Sequence, residues 1–177
     1  MHIPGYVAAL VSDERAAAAL LADHLISLGH HRIVIITGPR SFHSATEREQ
    51  GFRAALATHG IPLPDHYVAL GDYGFTAGHA LAGALLDHDA PPTAIFASND
   101  ITAAGAIKAA HDRGLSVPRE VSIAGFDDSD IASMISPALT TIRRPVLHME
   151  HEATRRLIRL IDDPGIRHRL IIACNYR

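Results

Sequence analysis

The chain of 177 residues has a single cysteine and no tryptophan. No disulfide can close within it, and a lone thiol, Cys174, fits a reducing compartment and reads as inert packing in a terminal apolar strand. No apolar run approaches the roughly 18 residues that a membrane helix needs. The start, Met1-His2-Ile3-Pro4-Gly5-Tyr6, lacks the basic residues and long apolar stretch of a secretory leader. A cytoplasmic protein without membrane contact is therefore expected. Neither sign of charge dominates: 16 Lys and Arg stand against 19 Asp and Glu, a net charge of -3. With no dense basic block, the chain is not expected to bind nucleic acid by itself.

Motifs of catalysis and cofactor binding are missing as well. Gly71, Gly74, Gly78 and Gly83 are scattered rather than arranged as G-x-G-x-x-G, and no G-K-[ST] follows to hold phosphates. There is no G-x-S-x-G elbow. The 13 histidines invite a metal reading, but His148 and His151 are three residues apart with no third ligand indicated nearby, and His30-His31 fits a helix-to-strand turn. No catalytic residue, no metal site and no cofactor are expected.

What is present is an alternation of apolar β-rich runs with segments of helical period, the pattern of a parallel sheet wrapped by helices. Asp13 can cap a first helix whose Ala17, Leu20, Leu21, His24, Leu25 and Leu28 share a face, with Gly29 as its stop. Ile33 to Ile36 reads as a strand buried on both faces. Ser44-Ala45-Thr46-Glu47 fits a capping box for a helix carrying Phe52, Ala55 and Leu56. Tyr67 to Leu70 reads as the next strand, and Leu81, Ala84 and Leu85 mark the inner face of the helix after it. Ala104, Ile107 and His111 mark a further helix face. Val121 to Ala124 is another buried strand, followed by a short turn or helix around 128–134. Pro137 to Ile142 reads as an extended crossover, Pro145 suits the first turn of a last helix bearing Met149, Ala153, Leu157, Leu160 and Ile161, and Leu170 to Ala173 reads as a final strand.

Two buried runs, Ala94 to Ala97 and Val121 to Ala124, end abruptly in Ser98-Asn99-Asp100 and Gly125-Phe126-Asp127-Asp128. Ligands of open parallel sheets sit outside the carboxyl ends of the strands, so these residues mark a candidate crevice. Asn99 donates and accepts, and Asp100 and Asp127 accept, which suits the vicinal hydroxyls of a sugar or polyol. The plain alternative is that they cap helices. Arg48 stands in the first turn of its helix, where a cation meets the positive end of the dipole. It reads either as a binding residue placed against local preference or as a solvated partner of Glu47 or Glu49. Tyr73 offers a ring face for stacking on a sugar, or is surface filler.

The ordered segments Ile33 to Gly38-Pro39, Arg48-Glu49-Gln50-Gly51-Phe52, Pro92 to Asp100, Val117 to Asp128 and Pro137 to Ile142 resemble the LacI/GalR family of bacterial transcription regulators over nearly the whole chain. The resemblance implies an effector-binding domain of periplasmic-binding-protein type I fold, with a parallel sheet flanked by helices. It implies that Arg48, Asn99 and Asp127 contact a small-molecule effector, that Tyr73 packs on it, and that the effector is carbohydrate, since Asn at position 99 resembles the sugar-responsive members. It further implies a homodimer, and DNA binding only through a helix-turn-helix that this sequence lacks. Measured against the family, the sequence corresponds mainly to the C-terminal lobe, about 12–143 and 166–177, with a remnant of the N-terminal lobe at 1–11 and 144–165. Apolar residues such as Met149, Leu157 and Leu160 are then expected to be exposed and to favour self-association. The substrate-binding component of a sugar uptake system is the alternative with the same fold.

Overall fold

The computed structural model describes residues 9–162, 169–172 and 175–176. Its centre is a parallel sheet in which β2 (Ile33–Thr37) lies between β3 (Val68–Leu70) and β4 (Ala94–Ala97), with β5 (Ser122–Ala124) beyond β4. All five residues of β2 are buried, because both faces of the sheet are covered by helices. The pleat divides its side chains between two cores. Ile33 and Ile35 pack with Phe52, Leu56 and Phe96 under α1 (Glu14–Ser27) and α2 (His43–Thr58), whereas Val34 and Ile36 pack with Ile95, Ala97 and Ile107 under α3 (Phe75–Leu86) and α4 (Asp100–Asp112).

The helices start and stop largely where local chemistry dictates. Asp13 caps α1 by accepting from Ala16 N at 3.0 Å, and Gly29 follows its end at φ +88. The capping box expected at Ser44 does not form. Helix α2 begins two residues earlier, with Phe42 at its N-cap and no side-chain cap. Glu47 reaches instead across to Arg15 on α1, 3.1 Å away. Leu20 in α1 and Leu28 at its C-cap are exposed rather than core. In α3, Ala84 is exposed while Ala82 and Leu85 are buried.

Helix α4 departs furthest from a one-sided pattern. Ala103, Ala104, Ala106, Ile107, Ala109 and Ala110 are all buried, and His111 is exposed. Two reciprocal close approaches bring α3 and α4 together: a Cβ on Gly78 would sit 2.4 Å from Thr102 O, and one on Gly105 would sit 2.2 Å from Phe75 O. Only glycine admits that spacing of backbones.

A smaller unit adjoins this body. Strand β1 (Ala9–Ser12) runs parallel to β7 (Arg169–Ile172), and α6 (Val146–Asp162) packs against β1. The chain crosses between the two units just after β1 and again after β6 (Ile142–Arg143), which pairs antiparallel with β8 (Asn175–Tyr176). Helix α5 (Asp130–Met134) lies within the expected turn at 128–134. Helix α6 turns Met149 and Ala153 inward but leaves Leu147, Leu157, Ile158 and Ile161 at 57–80% exposure. The side chain of Leu160, and Cys174, lie outside the described residues. No helix among the described residues is long and apolar enough to cross a membrane.

Candidate functional site

At the carboxyl edge of the sheet, four of the residues singled out in the sequence meet in two pairs. Arg48, on the first turns of α2, is only 3% exposed. Its guanidinium lies 2.6 Å from Glu14 Oε2 and 3.2 Å from Asp127 Oδ1, donates to Ser98 O at the end of β4, and stacks 3.7 Å over the Phe126 ring. The solvated reading of Arg48 is thereby excluded, and neither Glu47 nor Glu49 is its partner. Glu47 is taken by Arg15, and Glu49 by Arg53 at 2.8 Å.

Asn99 serves both roles weighed for it. Its side-chain oxygen caps α4 by accepting from Thr102 N at 2.9 Å, while its amide donates to Tyr73 O at 3.0 Å and ties down the loop after β3. Tyr73 is not surface filler. Its hydroxyl is buried, its ring meets Phe42 edge-on with centroids 5.8 Å apart, and it presses against Gly38, where a Cβ would lie 2.0 Å from the ring. Arg48 and Asn99 are linked through adjacent backbone at Ser98-Asn99.

Asp100 is a buried knot. It accepts from Ser129 N at 2.7 Å, Ser129 Oγ at 2.9 Å and Thr141 Oγ1 at 2.5 Å, fixing the loop after β5. Asp128 in that loop pairs with Arg143 at 2.5 Å. The loop holds Asp127 at φ +116 and Asp128 at φ +56, and Tyr73 lies at φ +69; these are the non-glycine residues of positive φ among those described. Left-handed backbone is costly for such side chains, and such outliers concentrate at functional sites. Burial pushes the Asp127 carboxyl above its ordinary range, against the opposing pull of Arg48 and Arg144.

Two residues that sequence reasoning passed over belong to the cluster. Glu14 is 8% exposed and faces both Arg48 and Arg144, the latter at 3.4 Å. Arg144 also stands 3.8 Å from Asp127. A recess of about 400 Å³ opens beside them, lined by Ser12, Glu14, His43, Ser44, Glu47 and Arg144 among others. A second, of about 320 Å³, is lined by Asp127, Asp128 and Arg144 with the start of α6. Neither of these two recesses is lined by Tyr73 or Asn99. Among the described residues, no group of three or more His, Cys, Asp or Glu side chains is placed to hold a metal ion.

Parallel strands flanked by helices, with polar residues converging past their carboxyl ends, define an α/β domain of the open parallel-sheet class, with a candidate crevice at that edge. The chain belongs to the periplasmic binding protein-like domain family, which it matches over residues 22–176. Its relatives there are LacI-type regulators, as the resemblance in the sequence implied. It is 36% identical over 155 residues to the probable HTH-type transcriptional repressor ExuR of Bacillus subtilis, covering 88% of this chain and 46% of that protein. It is 37% identical over 158 residues to the ribose operon repressor of Escherichia coli, covering 89% and 48%. A crystal structure of a sugar-binding LacI-family regulator from Escherichia coli, complexed with phosphate, superposes with a TM-score of 0.87 at 35% identity, over 94% of this chain and 60% of that one. The chain thus spans about half the length of the curated relatives it matches.

Proposed function

We propose that this chain is the ligand-sensing domain of a LacI-type transcriptional regulator and that it binds a small sugar-like effector without catalysis. The observation that carries this reading is the pairing of Arg48 with Asp127 at 3.2 Å, on neighbouring segments at the carboxyl edge of the sheet. A guanidinium and a carboxylate side by side offer donors and acceptors at the spacing of adjacent hydroxyls. In this reading Arg48 donates to the effector, Asp127 accepts from it, Asn99 contributes what its cap leaves over, and the Tyr73 ring covers an apolar face. That one relative is a ribose operon repressor and another is described as sugar-binding supports the carbohydrate class.

The four-stranded body is proposed as one lobe, about 12–143 with 166–177, and 1–11 with 144–165 as part of a second. The pairing of β7 with β1 favours counting 169–172 with the smaller unit. Effector occupancy would bias two arrangements that differ in DNA affinity, with DNA contacted by a helix-turn-helix outside this sequence and with two copies acting together. Titration calorimetry with neutral pentoses, hexoses and disaccharides tests the proposal: saturable heat that Asp127→Ala abolishes is the expected result. No binding across the panel, or unchanged affinity in Asp127→Ala, would overturn it.

A further inference from the structure

Arg48, Glu14, Arg144 and Asp127 close into a ring in which cation and anion alternate. Its edges measure 2.6 Å from Arg48 to Glu14, 3.4 Å from Glu14 to Arg144, 3.8 Å from Arg144 to Asp127 and 3.2 Å from Asp127 to Arg48. The ring is electroneutral, and Arg144 is its loosely held member. Its Nε is shielded from solvent with no hydrogen-bond partner among the described residues, and its contact with Asp127 is beyond hydrogen-bond length. Arg144 is also the one residue of the ring that lines both recesses, where it stands at the entry to α6.

We propose that the effector is an uncharged polyol, and that Arg144, held by Glu14, sets this specificity by donating to an effector hydroxyl in place of its long contact with Asp127. This rests on the sugar-site reading above and narrows it. The charges around the larger recess decide the class. Arg15 and Arg144 face Asp13, Glu14 and Glu47 in its lining, two arginines against three carboxylates, with His43 lying 4.0 Å from Glu47. A carboxylate or phosphate on the effector would enter a site whose cations are already matched, and an unmatched charge removed from water is strongly disfavoured.

Two of the helix N-termini on this edge, the usual alternative seat for an anion, already carry side-chain acceptors. Asp13 caps α1, Asn99 caps α4 and Asp100 fills the first turn of α4. The N-termini of α2 and α3 have no side-chain cap, and the cation that α2 adds, Arg48, is matched by Glu14. Hydroxyl groups suit the ring because each both donates and accepts, so they can enter between an arginine and a carboxylate without leaving net charge.

Calorimetry on this chain with D-glucose, D-glucuronate and D-glucose 6-phosphate, and with D-ribose and D-ribose 5-phosphate, tests the inference. The expected result is that an uncharged sugar binds at least about tenfold more tightly than its acidic counterpart. In Glu14→Gln that gap should narrow by about tenfold, and in Arg144→Gln, which removes a partly exposed cation and is the safer variant for folding, the uncharged sugar should bind about tenfold more weakly. An acidic sugar that binds as tightly as its neutral partner would overturn the charge class, and unchanged affinity for the uncharged sugar in Arg144→Gln would overturn the part given to Arg144. Failure of every sugar to bind would instead overturn the sugar-site reading and this inference with it.

Discussion

Arg48 and Glu14 form an ion pair of 2.6 Å in which both side chains are almost wholly withdrawn from water, at 4% and 9% exposure. Removing one member of such a pair strands the other, which typically costs about 3–5 kcal/mol. Arg48→Met is expected to lose stability in that range, read from the urea midpoint, together with effector binding. Arg48→Lys keeps the charge but cannot reach Glu14, Ser98 O and Asp127 at once, so it should fall between the two. A midpoint unchanged in Arg48→Met would contradict the structural weight given to the pair.

Asp127 poses the opposite case. Its carboxyl is raised chiefly by burial, with Arg48 and Arg144 opposing, so ionising it costs more in the folded chain than in the unfolded one. The sign follows from linkage: stability from this group is greatest below the ordinary aspartate value and is lost as pH rises through the raised one. Asp127→Asn should therefore match or exceed the wild type in melting temperature at pH 7 while losing effector affinity. The difference between the two melting curves should grow through the acidic carboxylate range and then level off. An Asp127→Asn melting temperature well below that of the wild type at neutral pH would refute this.

His30 bridges the other end of the sheet, its ring nitrogens 3.0 Å from Thr93 Oγ1 and 3.0 Å from Ser122 Oγ. Burial, and then the neighbouring His31, hold its pKa below the ordinary histidine value of 6.5. The unfolded chain then takes up the proton first, so stability contributed by neutral His30 is lost as pH falls through about 6.5. Denaturation between pH 7.5 and 5 should show this loss, and His30→Asn should flatten it. Parallel pH profiles for the two proteins would rule out His30 as the source.

Gly38 leaves the space that the Tyr73 ring fills, since a Cβ there would lie 2.0 Å from the ring. Gly38→Ala must displace that ring. Because Tyr73 sits at the rim of the sheet and not in either core, stability should fall by only about 1–3 kcal/mol, while effector affinity drops. Near-ultraviolet circular dichroism, in a chain without tryptophan, should report the moved tyrosine. Unaltered affinity would remove Tyr73 from the proposed site.

Helix α6 presents Leu147, Leu157, Ile158 and Ile161 to solvent. Large apolar side chains left exposed in this way favour association. Sedimentation velocity on this chain should show a concentration-dependent rise in mass that Leu157→Asp with Ile161→Asp suppresses. A monomer at all concentrations that binds no apolar dye would count against it.

The strands were readable because burial on both faces writes itself into sequence as unbroken β-branched runs, as at Ile33 to Ile36. Asp13 was readable because a cap acts over three residues. Ser44 misled because the capping box is a local pattern, and Glu47 found a distant cation in Arg15 instead. The uniform burial of α4 was hidden in its alanines, which carry little periodic contrast. Within the site, Arg48 stood out by its conflict with the helix dipole and by family resemblance. Glu14 did not, because its reason for being there lies 34 residues away, and ion pairs across such separations leave no mark on local pattern. Arg144 was concealed likewise beside Arg143.

The left-handed backbone at Tyr73, Asp127 and Asp128 has a further consequence for affinity. Under the proposed reading, conformational energy stored there during folding is not demanded again when an effector arrives, so the acceptor and the ring face would stand ready-made and association would lose less entropy than with a mobile loop. Glycine at position 128 would relieve the strain and leave every side chain of the ring intact, yet it should weaken binding by loosening the loop that aims Asp127. In the proposed site, recognition would thus be written partly in main-chain torsion angles, beneath the chemistry of its side chains.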